Sequence, residues 1–461
     1  MTVSIKNNLQ LGLQFFCAAL FIVFFAVYVV TSTVPVIENE LAVTAETEQN
    51  ILWGEGSQEE IEEQLNKLNV RRTILQEKTT VYMLSVGVIL ALLLAGTVFM
   101  FLTKLRITSF LTALCFLLLI GSSYQYQFLM SSSWLIHMCM AIGAGLIVFL
   151  AVRNHPAIPF WCYYSLAFVI WAGLLINLLF GKAANNAALW ISVGGISVQI
   201  GEAVKFLLIL LGAYSYLNTS RSAVFCTTSI FSCVTLVLLH DIGNAAIIFG
   251  IFAFVTYYIF DNKLFSVSVI ALAAVTLILL ICFFSDEARS RFLNCGYAMR
   301  RDTAPEIIDA LRQQTSLLKE LLYGGFRGLG IENVSRISGI YSYDSDMAIA
   351  GVQAVFGVPA LAAVILSYYL IVVQARWNSS VHPCSYLILV QTAMLITVQV
   401  LLNYGGSIDF LPFTGVVAPF ISRGGSAMIS FGCIMGACAA ALCPAVRSGK
   451  HAAANPEEKE G

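Results

Sequence analysis

Ionisable side chains inside or at the edge of the apolar segments are the first candidates for chemistry, and they are few: Glu202, Lys205, Asp241 and Asp346. Each costs about 2.5 kcal/mol or more at mid-bilayer unless it is paired or wetted, so function is the first hypothesis for each. Asp346 closes a polar stretch that starts at Ser285 and ends Tyr341-Ser342-Tyr343-Asp344-Ser345-Asp346, after which the chain turns apolar again at Met347-Ala348-Ile349-Ala350. A long polar loop in so apolar a chain needs a purpose, and a carboxylate at its end can exchange a proton with a substrate. Asp344 is the rival of Asp346. On an extended segment the two side chains point the same way, whereas on a helix they do not. If they converge, like-charge repulsion raises one pKa and suits proton transfer; the alternative is that Asp344 caps the helix entered at Asp346. Glu202 and Lys205 stand three apart, so they share a helix face and can pair, either for function or to lock neighbouring helices. Asp241 follows His240 and precedes Ile242-Gly243-Asn244, where it is placed to cap the next helix.

Polar, glycine-bearing segments flank these groups. Asn185 to Gln199 leads into the Glu202 helix and carries Trp190, which has the ordinary alternative role of an interfacial anchor. Near the C-terminus, Leu411-Pro412-Phe413-Thr414-Gly415 is followed by Ala418-Pro419-Phe420-Ile421-Ser422-Arg423-Gly424-Gly425-Ser426. Two prolines and several glycines predict a non-helical segment at membrane depth, which is tolerated only against protein or water. A polar cavity is therefore expected where this segment meets the long loop. Within that loop, Thr303-Ala304-Pro305-Glu306 reads as a helix start. Ile307, Ile308, Leu311, Leu318, Leu321 and Leu322 then predict an interfacial amphipathic helix, ended by Gly324 to Gly330.

The elements that must position these residues are membrane helices. The chain has 461 residues, 59% hydrophobic and 11% charged, against roughly 25% charged in a soluble domain. The fold class is an all-α polytopic membrane protein. A net charge of -1 gives no footprint for nucleic acid. The twelve cysteines lie mostly in apolar segments, where they act as small hydrophobes, with no zinc spacing. Apolar runs long enough to span lie near 9–34, 81–104, 107–126, 134–153, 159–180, 201–219, 222–240, 242–260, 264–284, 347–374, 384–404 and 424–446. Lys6, Lys104, Arg106, Arg153, Arg221, Lys263, Arg376, Arg447 and Lys450 all flank one face, which makes that face and both termini cytoplasmic. The Ser285–Asp346 loop is then extracytoplasmic, together with an acidic insert, Ile37–Thr80, of ten acidic and four basic residues. Any chemistry there must use a substrate that carries its own activation. Ser57-Gln58-Glu59-Glu60 and the spacing of Ile61, Leu65, Leu68 and Leu75 predict a short amphipathic helix in the insert, as a spacer or a docking surface.

Several of these motifs recur in a fixed order. They are Trp190-Ile191-x-x-Gly194-Gly195, Gln199-x-x-Glu202-x-x-Lys205, His240-Asp241-Ile242-Gly243-Asn244-Ala245, Gly325-x-x-Gly328-x-Gly330, Ser345-Asp346, and Leu411-Pro412-x-Thr414-Gly415 through Pro419-Phe420-Ile421-Ser422-x-Gly424-Gly425-Ser426. Together they resemble the SEDS family of FtsW-, RodA- and SpoVE-like proteins. The resemblance covers about residues 107–446 as a ten-helix core. That leaves 1–106 as a two-helix extension carrying the 37–80 insert, and 447–461 as a cytoplasmic tail.

The resemblance implies a peptidoglycan glycosyltransferase of the bacterial cytoplasmic membrane, serving cell shape, division or sporulation. It implies lipid II as substrate and a class B penicillin-binding protein as partner. Ser345-Asp346-Met347 matches the family's Thr-Asp-Phe motif, whose carboxylate is the proposed catalytic group, with one direct displacement and inversion at the anomeric carbon. Substrate-binding positions carried over are Trp190, Gln199, Glu202, Lys205, Arg327, Arg423 and Ser426; Asp344 and Asp241 are secondary candidates. Charge compensation for the leaving pyrophosphate falls to Arg423, Lys205 or Arg327, or to a divalent cation such as Mg or Mn. The chain departs from the family pattern at Leu189, at Ile200-Gly201, at Ile340-Tyr341-Ser342 and at Ala354-Val355. A lipid II flippase or a non-catalytic division scaffold built on the acidic insert are the alternative readings.

Overall fold

The computed structural model of the chain describes residues 42–51, 58–102, 105–126, 132–154, 158–184, 187–193, 196–284, 286–298, 307, 311–373 and 383–443. The first apolar run at 9–34 and the helix start at 303–306 lie outside these residues. Among the described residues, eight helices are long and apolar enough to cross a membrane, and two shorter apolar helices occur at Phe110–Gln125 and Val358–Val372. The chain is a multi-pass, helical membrane protein.

The helix predicted from Ser57 to Leu75 is not short: it continues into the first span after the insert. Helix α1, Gln58–Leu102, runs for 45 residues without interruption, about 67 Å at 1.5 Å per residue. Nothing breaks it, because no proline occurs in it and its glycines come only at Gly87 and Gly96. Its outer part packs against a helical stretch at 42–51, burying Thr44, Leu68 and Leu75. Arg72 Nη1 lies 2.9 Å from Glu48 Oε2 across that contact. Farther down, Tyr82, Ser85 and Ile89 are fully buried where α1 packs on α2, Leu105–Tyr126.

Helices α3 (Ser132–Asn154) and α4 (Phe160–Phe180) follow. Between α4 and the next helix, where the glycine-bearing segment reads as a loop, the chain forms a small antiparallel sheet: β1 (Lys182–Ala184), β2 (Ala187–Val193) and β3 (Ile196–Gln199). Trp190 pairs with Lys182 on one side and with Gln199 on the other. Helices α5 (Ile200–Tyr214), α6 (Thr219–Leu238), α7 (Ile242–Ile259) and α8 (Lys263–Phe284) come next. α8 leaves much of its apolar surface uncovered, with Leu264, Leu272, Val275, Ile278 and Leu279 all exposed, as expected of a helix that faces lipid.

The long loop carries α9 (Asp286–Asn294) and α10 (Arg312–Gly324). The predicted span 347–374 is two helices, α11 (Ala348–Phe356) and α12 (Val358–Val372), broken at Gly357 with φ +83°. The glycine loop after α10 fills the break. Leu329 N and Gly330 N donate to the carbonyls of Ala354 (2.8 Å) and Val355 (3.0 Å), and Val358 N donates to Phe326 O (2.9 Å). Backbone freed inside a membrane protein must find such partners. A Cβ at Gly328 would stand 2.4 Å from Gly357 N, so the crossing needs glycine. Ala354 and Val355 are both buried beneath this loop.

Helices α13 (Pro383–Ser407) and α14 (Gly425–Leu442) complete the bundle. α14 lies against α3 at van der Waals closeness. A Cβ at Gly432 would meet Ala141 O at 2.2 Å, and one at Gly436 would meet Gly145 O at 2.0 Å. Small residues spaced by four let membrane helices approach in this way.

Candidate functional site

The turn that carries Asp346 is held by its own carbonyl groups. Tyr124 Oη donates to Tyr343 O (2.8 Å), and Gln125 Nε2 donates to Asp344 O (2.9 Å) and to Ile421 O (3.0 Å). Arg423 N also donates to Asp344 O (2.7 Å), and Ser422 Oγ donates to Ser345 O. Asn403 Nδ2 donates to Asp346 O (2.9 Å) and to Val416 O (2.7 Å). Four successive carbonyls are thus satisfied from α2, from α13 and from the 416–423 segment. The segment with two prolines does meet the long loop, as its composition predicts. Backbone strain gathers here too: Ser342, Asp409 and Phe420 all take φ near +60°, a region that costs a non-glycine residue about 1 kcal/mol or more.

The residue Asp346 is half-buried, and protein atoms surround its carboxyl group. Gly415, with φ +68°, lies directly against it: a Cβ there would sit 3.5 Å from Asp346 Oδ2. Burial pushes the carboxyl up to about 6; the Asp344 carboxylate adds to the rise, Arg291 opposes it and Asp241 adds a little more. A carboxyl that titrates near neutrality can serve as a proton acceptor.

Asp344 does not cap a helix. α11 starts at Ala348, after Met347, with no side-chain cap. Residues 341–347 are turns, neither extended nor helical, so the two carboxylates are arranged by the turn. Asp344 Oδ2 instead accepts from Arg423 Nη1 at 3.4 Å, a long pair whose arginine is 63% exposed.

A second group forms where α5 meets α14. Lys205 Nζ donates to Glu202 Oε1 at 2.7 Å, and Lys205 is fully buried. Its ammonium also stands 5.5 Å from the centre of the Phe431 ring. The other Glu202 oxygen, Oε2, has no hydrogen-bond partner. Ser430 Oγ donates to Glu202 O (2.6 Å), and Gln199 N donates to Ser426 Oγ (3.2 Å). Trp190, Gln199, Glu202, Lys205 and Ser426 therefore come together where β3, α5 and α14 meet. Asp241 caps α7 through Asn244 N at 3.1 Å and also accepts from Asn244 Nδ2 at 2.8 Å. A Cβ at Gly201 would come 3.2 Å from Asp241 Oδ2. Ile200-Gly201 thus has a packing reason, because α5 seats on this cap.

Arg327 is not brought into either group. It is exposed beside the Gly328–Gly357 crossing, and no hydrogen bond or ion pair ties it to Asp346. Lys205 is spent on Glu202 and sealed from solvent. Sequence reasoning passed over Arg291, the cation whose charge reaches Asp346. It also passed over Asn403, Gln125 and Tyr124, the side chains that hold the turn. Asn403 and Gln125 are uncharged polar residues within apolar helices, a signal weaker than an ion but of the same kind. Among the described residues, no three His, Cys, Asp or Glu side chains converge in a way that could hold a metal ion.

The chain is similar to known proteins in sequence and in fold. The FtsW/RodA/SpoVE family model, described as a cell cycle protein, matches residues 99–442. A Bacillus subtilis (strain 168) protein named "Probable peptidoglycan glycosyltransferase FtsW" is 25% identical over 311 residues, 62% of this chain and 75% of the relative. A Mycobacterium bovis protein named "Peptidoglycan glycosyltransferase RodA" is 22% identical over 272 residues, 53% of this chain and 55% of the relative. A solved structure described as "Structural coordination of polymerization and crosslinking by a peptidoglycan synthase complex" shares the fold, with a TM-score of 0.54 and 19% identity over 72% of this chain and 96% of that one.

Proposed function

The chain belongs to the FtsW/RodA/SpoVE family, and from that membership we propose that it is a peptidoglycan glycosyltransferase that polymerises lipid II, with Asp346 as its base. The acceptor's sugar hydroxyl attacks the donor's anomeric carbon and loses its proton to Asp346. The bond from that carbon to the pyrophosphate oxygen breaks, its electron pair leaves with the pyrophosphate, and one displacement inverts the centre. The observation that carries this reading is the pinning of four successive carbonyls, 343 to 346, which fixes one carboxyl at the junction of the long loop and the 411–423 segment. Such a base has to be held still relative to its substrate. Asp344, tied to Arg423, keeps a second negative charge close and so favours a protonatable Asp346.

In this reading the protein lies in the bacterial cytoplasmic membrane with its long loop outside, and it works beside a class B penicillin-binding protein, which would supply crosslinking. The relatives' names and the basic residues on the opposite face support that placement.

The test is polymerisation of lipid II by the purified protein, with and without a partner transpeptidase. Asp346→Ala and Asp346→Asn are expected to lose roughly a hundredfold or more in rate, the usual loss for a missing general base. A variant that still made glycan strands at the wild-type rate would end the assignment.

A further inference from the structure

We propose that Arg291 is the side chain that binds the pyrophosphate of the lipid-linked substrate, an inference that rests on the glycosyltransfer reading above. Arg291 and Asp346 border the same short segment. Arg291 Nη1 donates to Phe413 O at 3.1 Å, and two residues on, Gly415 lies against Asp346 Oδ2. The end of α9 is docked firmly on this segment: Ala298 N donates to Asp409 Oδ2 (2.8 Å), and Cys295 Sγ to Asp409 O (3.8 Å). Arg291 is an exposed residue, and its guanidinium is held to the segment by the bond to Phe413 O.

The other cations fit the task less well. Lys205 is fully buried against Glu202. Arg423 has the Asp344 carboxylate 3.4 Å from its Nη1, a negative charge that an incoming pyrophosphate would have to displace. Arg327 lies at the glycine crossing, exposed and unlinked to the site. The charge of Arg291 is felt at Asp346, so an anion beside Asp346 would feel it as well.

Depth also favours Arg291. α9 begins where the lipid-facing helix α8 ends, at Phe284. A lipid carrier whose tail lies in hydrocarbon beside α8 presents its pyrophosphate at that level. A guanidinium suits this anion because its planar fork matches two phosphate oxygens at once. When the anomeric C–O bond breaks, the electron pair moves onto the pyrophosphate, and a fixed cation there stabilises the departing charge.

The experiment measures binding of farnesyl pyrophosphate to the full chain in detergent, with farnesol as the tail-only probe. The proteins are wild type, Arg291→Ala, Arg291→Lys and, as a surface control on the same helix, Leu293→Ala, whose leucine is 66% exposed. The expected result is at least about a tenfold loss of farnesyl pyrophosphate affinity in Arg291→Ala and an intermediate loss in Arg291→Lys, as for a charge-assisted bidentate contact. Farnesol binding should be unchanged, and Leu293→Ala should match wild type. Equal affinity in Arg291→Ala, an equal loss for farnesol, or no measurable binding of farnesyl pyrophosphate to wild type would each overturn the proposal. Lipid II polymerisation is read on the same samples. A wild type that binds the probe through Arg291 yet makes no polymer would refute the glycosyltransfer reading and leave the pyrophosphate site standing.

Discussion

At Asp346 the forces on one proton are opposed: burial and Asp344 raise its affinity to about 6, and Arg291 pulls it down. A base works only when ionised, so polymerisation should rise with pH through about 6 and level off above. Asp344→Asn should move that midpoint to lower pH, and Arg291→Ala should move it to higher pH; a pH–rate profile of each variant checks both directions. The same shift is a stability statement. The carboxyl titrates about two units above its unfolded value, so its contribution to folding is fully present below about pH 4 and is lost as pH rises through 6. Asp346→Asn should therefore gain at pH 8 by up to about 3 kcal/mol, less whatever solvent contact the half-buried residue retains, and the gain should vanish at pH 4. Thermal unfolding at the two pH values measures it; an inactive but more stable variant is the signature of a strained functional residue. Asp346 was named from its place at the end of the long loop and from its match to the family's Thr-Asp-Phe motif. Arg291 was not, since it lies among other charges in a polar loop and only the docking of α9 onto Asp409 and Phe413 brings it to the site. The pair Glu202–Lys205 was legible from its spacing of three, but its sealing beneath Phe431 was not, because spacing says nothing about which neighbours cover a pair.

The elements differ in how far their sequences declared them. The long apolar helices follow from hydropathy, and α7 begins where Asp241 predicts. The break between α11 and α12 had a signal that was passed over, Gly357 followed by Pro359 in the first turn of α12, and its cost is met by a loop about thirty residues earlier. The hairpin β2–β3 had a signal that was read otherwise: Gly194-Gly195 stands between two short runs, a two-residue connection typical of hairpins. α13 contributes through two amides, Gln399, whose Nε2 donates to Val417 O (3.0 Å), and Asn403. Asn403 links the Asp346 carbonyl to Val416 O, while its Oδ1 accepts from Ile349 N at 3.4 Å. Asn403→Ala would leave two buried carbonyls short of a donor, each costing about 1–3 kcal/mol. The expected outcome is a lower melting temperature together with a loss of rate larger than the stability change explains, because the base is no longer held. Comparing kcat of Asn403→Ala with that of a similarly destabilised variant remote from the turn, such as Gly436→Ala at the α3–α14 crossing, separates the two effects.

Across the whole molecule, α1 and the turn that carries Asp346 both contact the same stretch of α2. Tyr82 of α1 is fully buried, with its hydroxyl 3.3 Å from Ser123 Oγ on α2, and the next two residues of α2, Tyr124 and Gln125, hold the carbonyls at 343 and 344. The outer part of α1, by contrast, touches the rest of the described chain mainly through its pairing with 42–51, at Glu48–Arg72 and around Leu68 and Leu75. These contacts divide the extension into two parts with different consequences. Tyr82→Ala opens a cavity behind the residues that fix Asp346. It should cost about 3 kcal/mol or more and slow polymerisation, since Tyr124 can then relax toward the space. Replacing residues 42–77 with a short flexible linker removes no contact to the turn, so lipid II polymerisation by the purified protein should stay within about twofold of wild type, a change under 0.5 kcal/mol in the barrier. If growth or cell shape nevertheless fails in cells carrying that deletion, residues 42–77 act by recruiting other envelope proteins. If polymerisation itself fails, these residues are part of the catalytic assembly, and the separation drawn between them and the core is wrong.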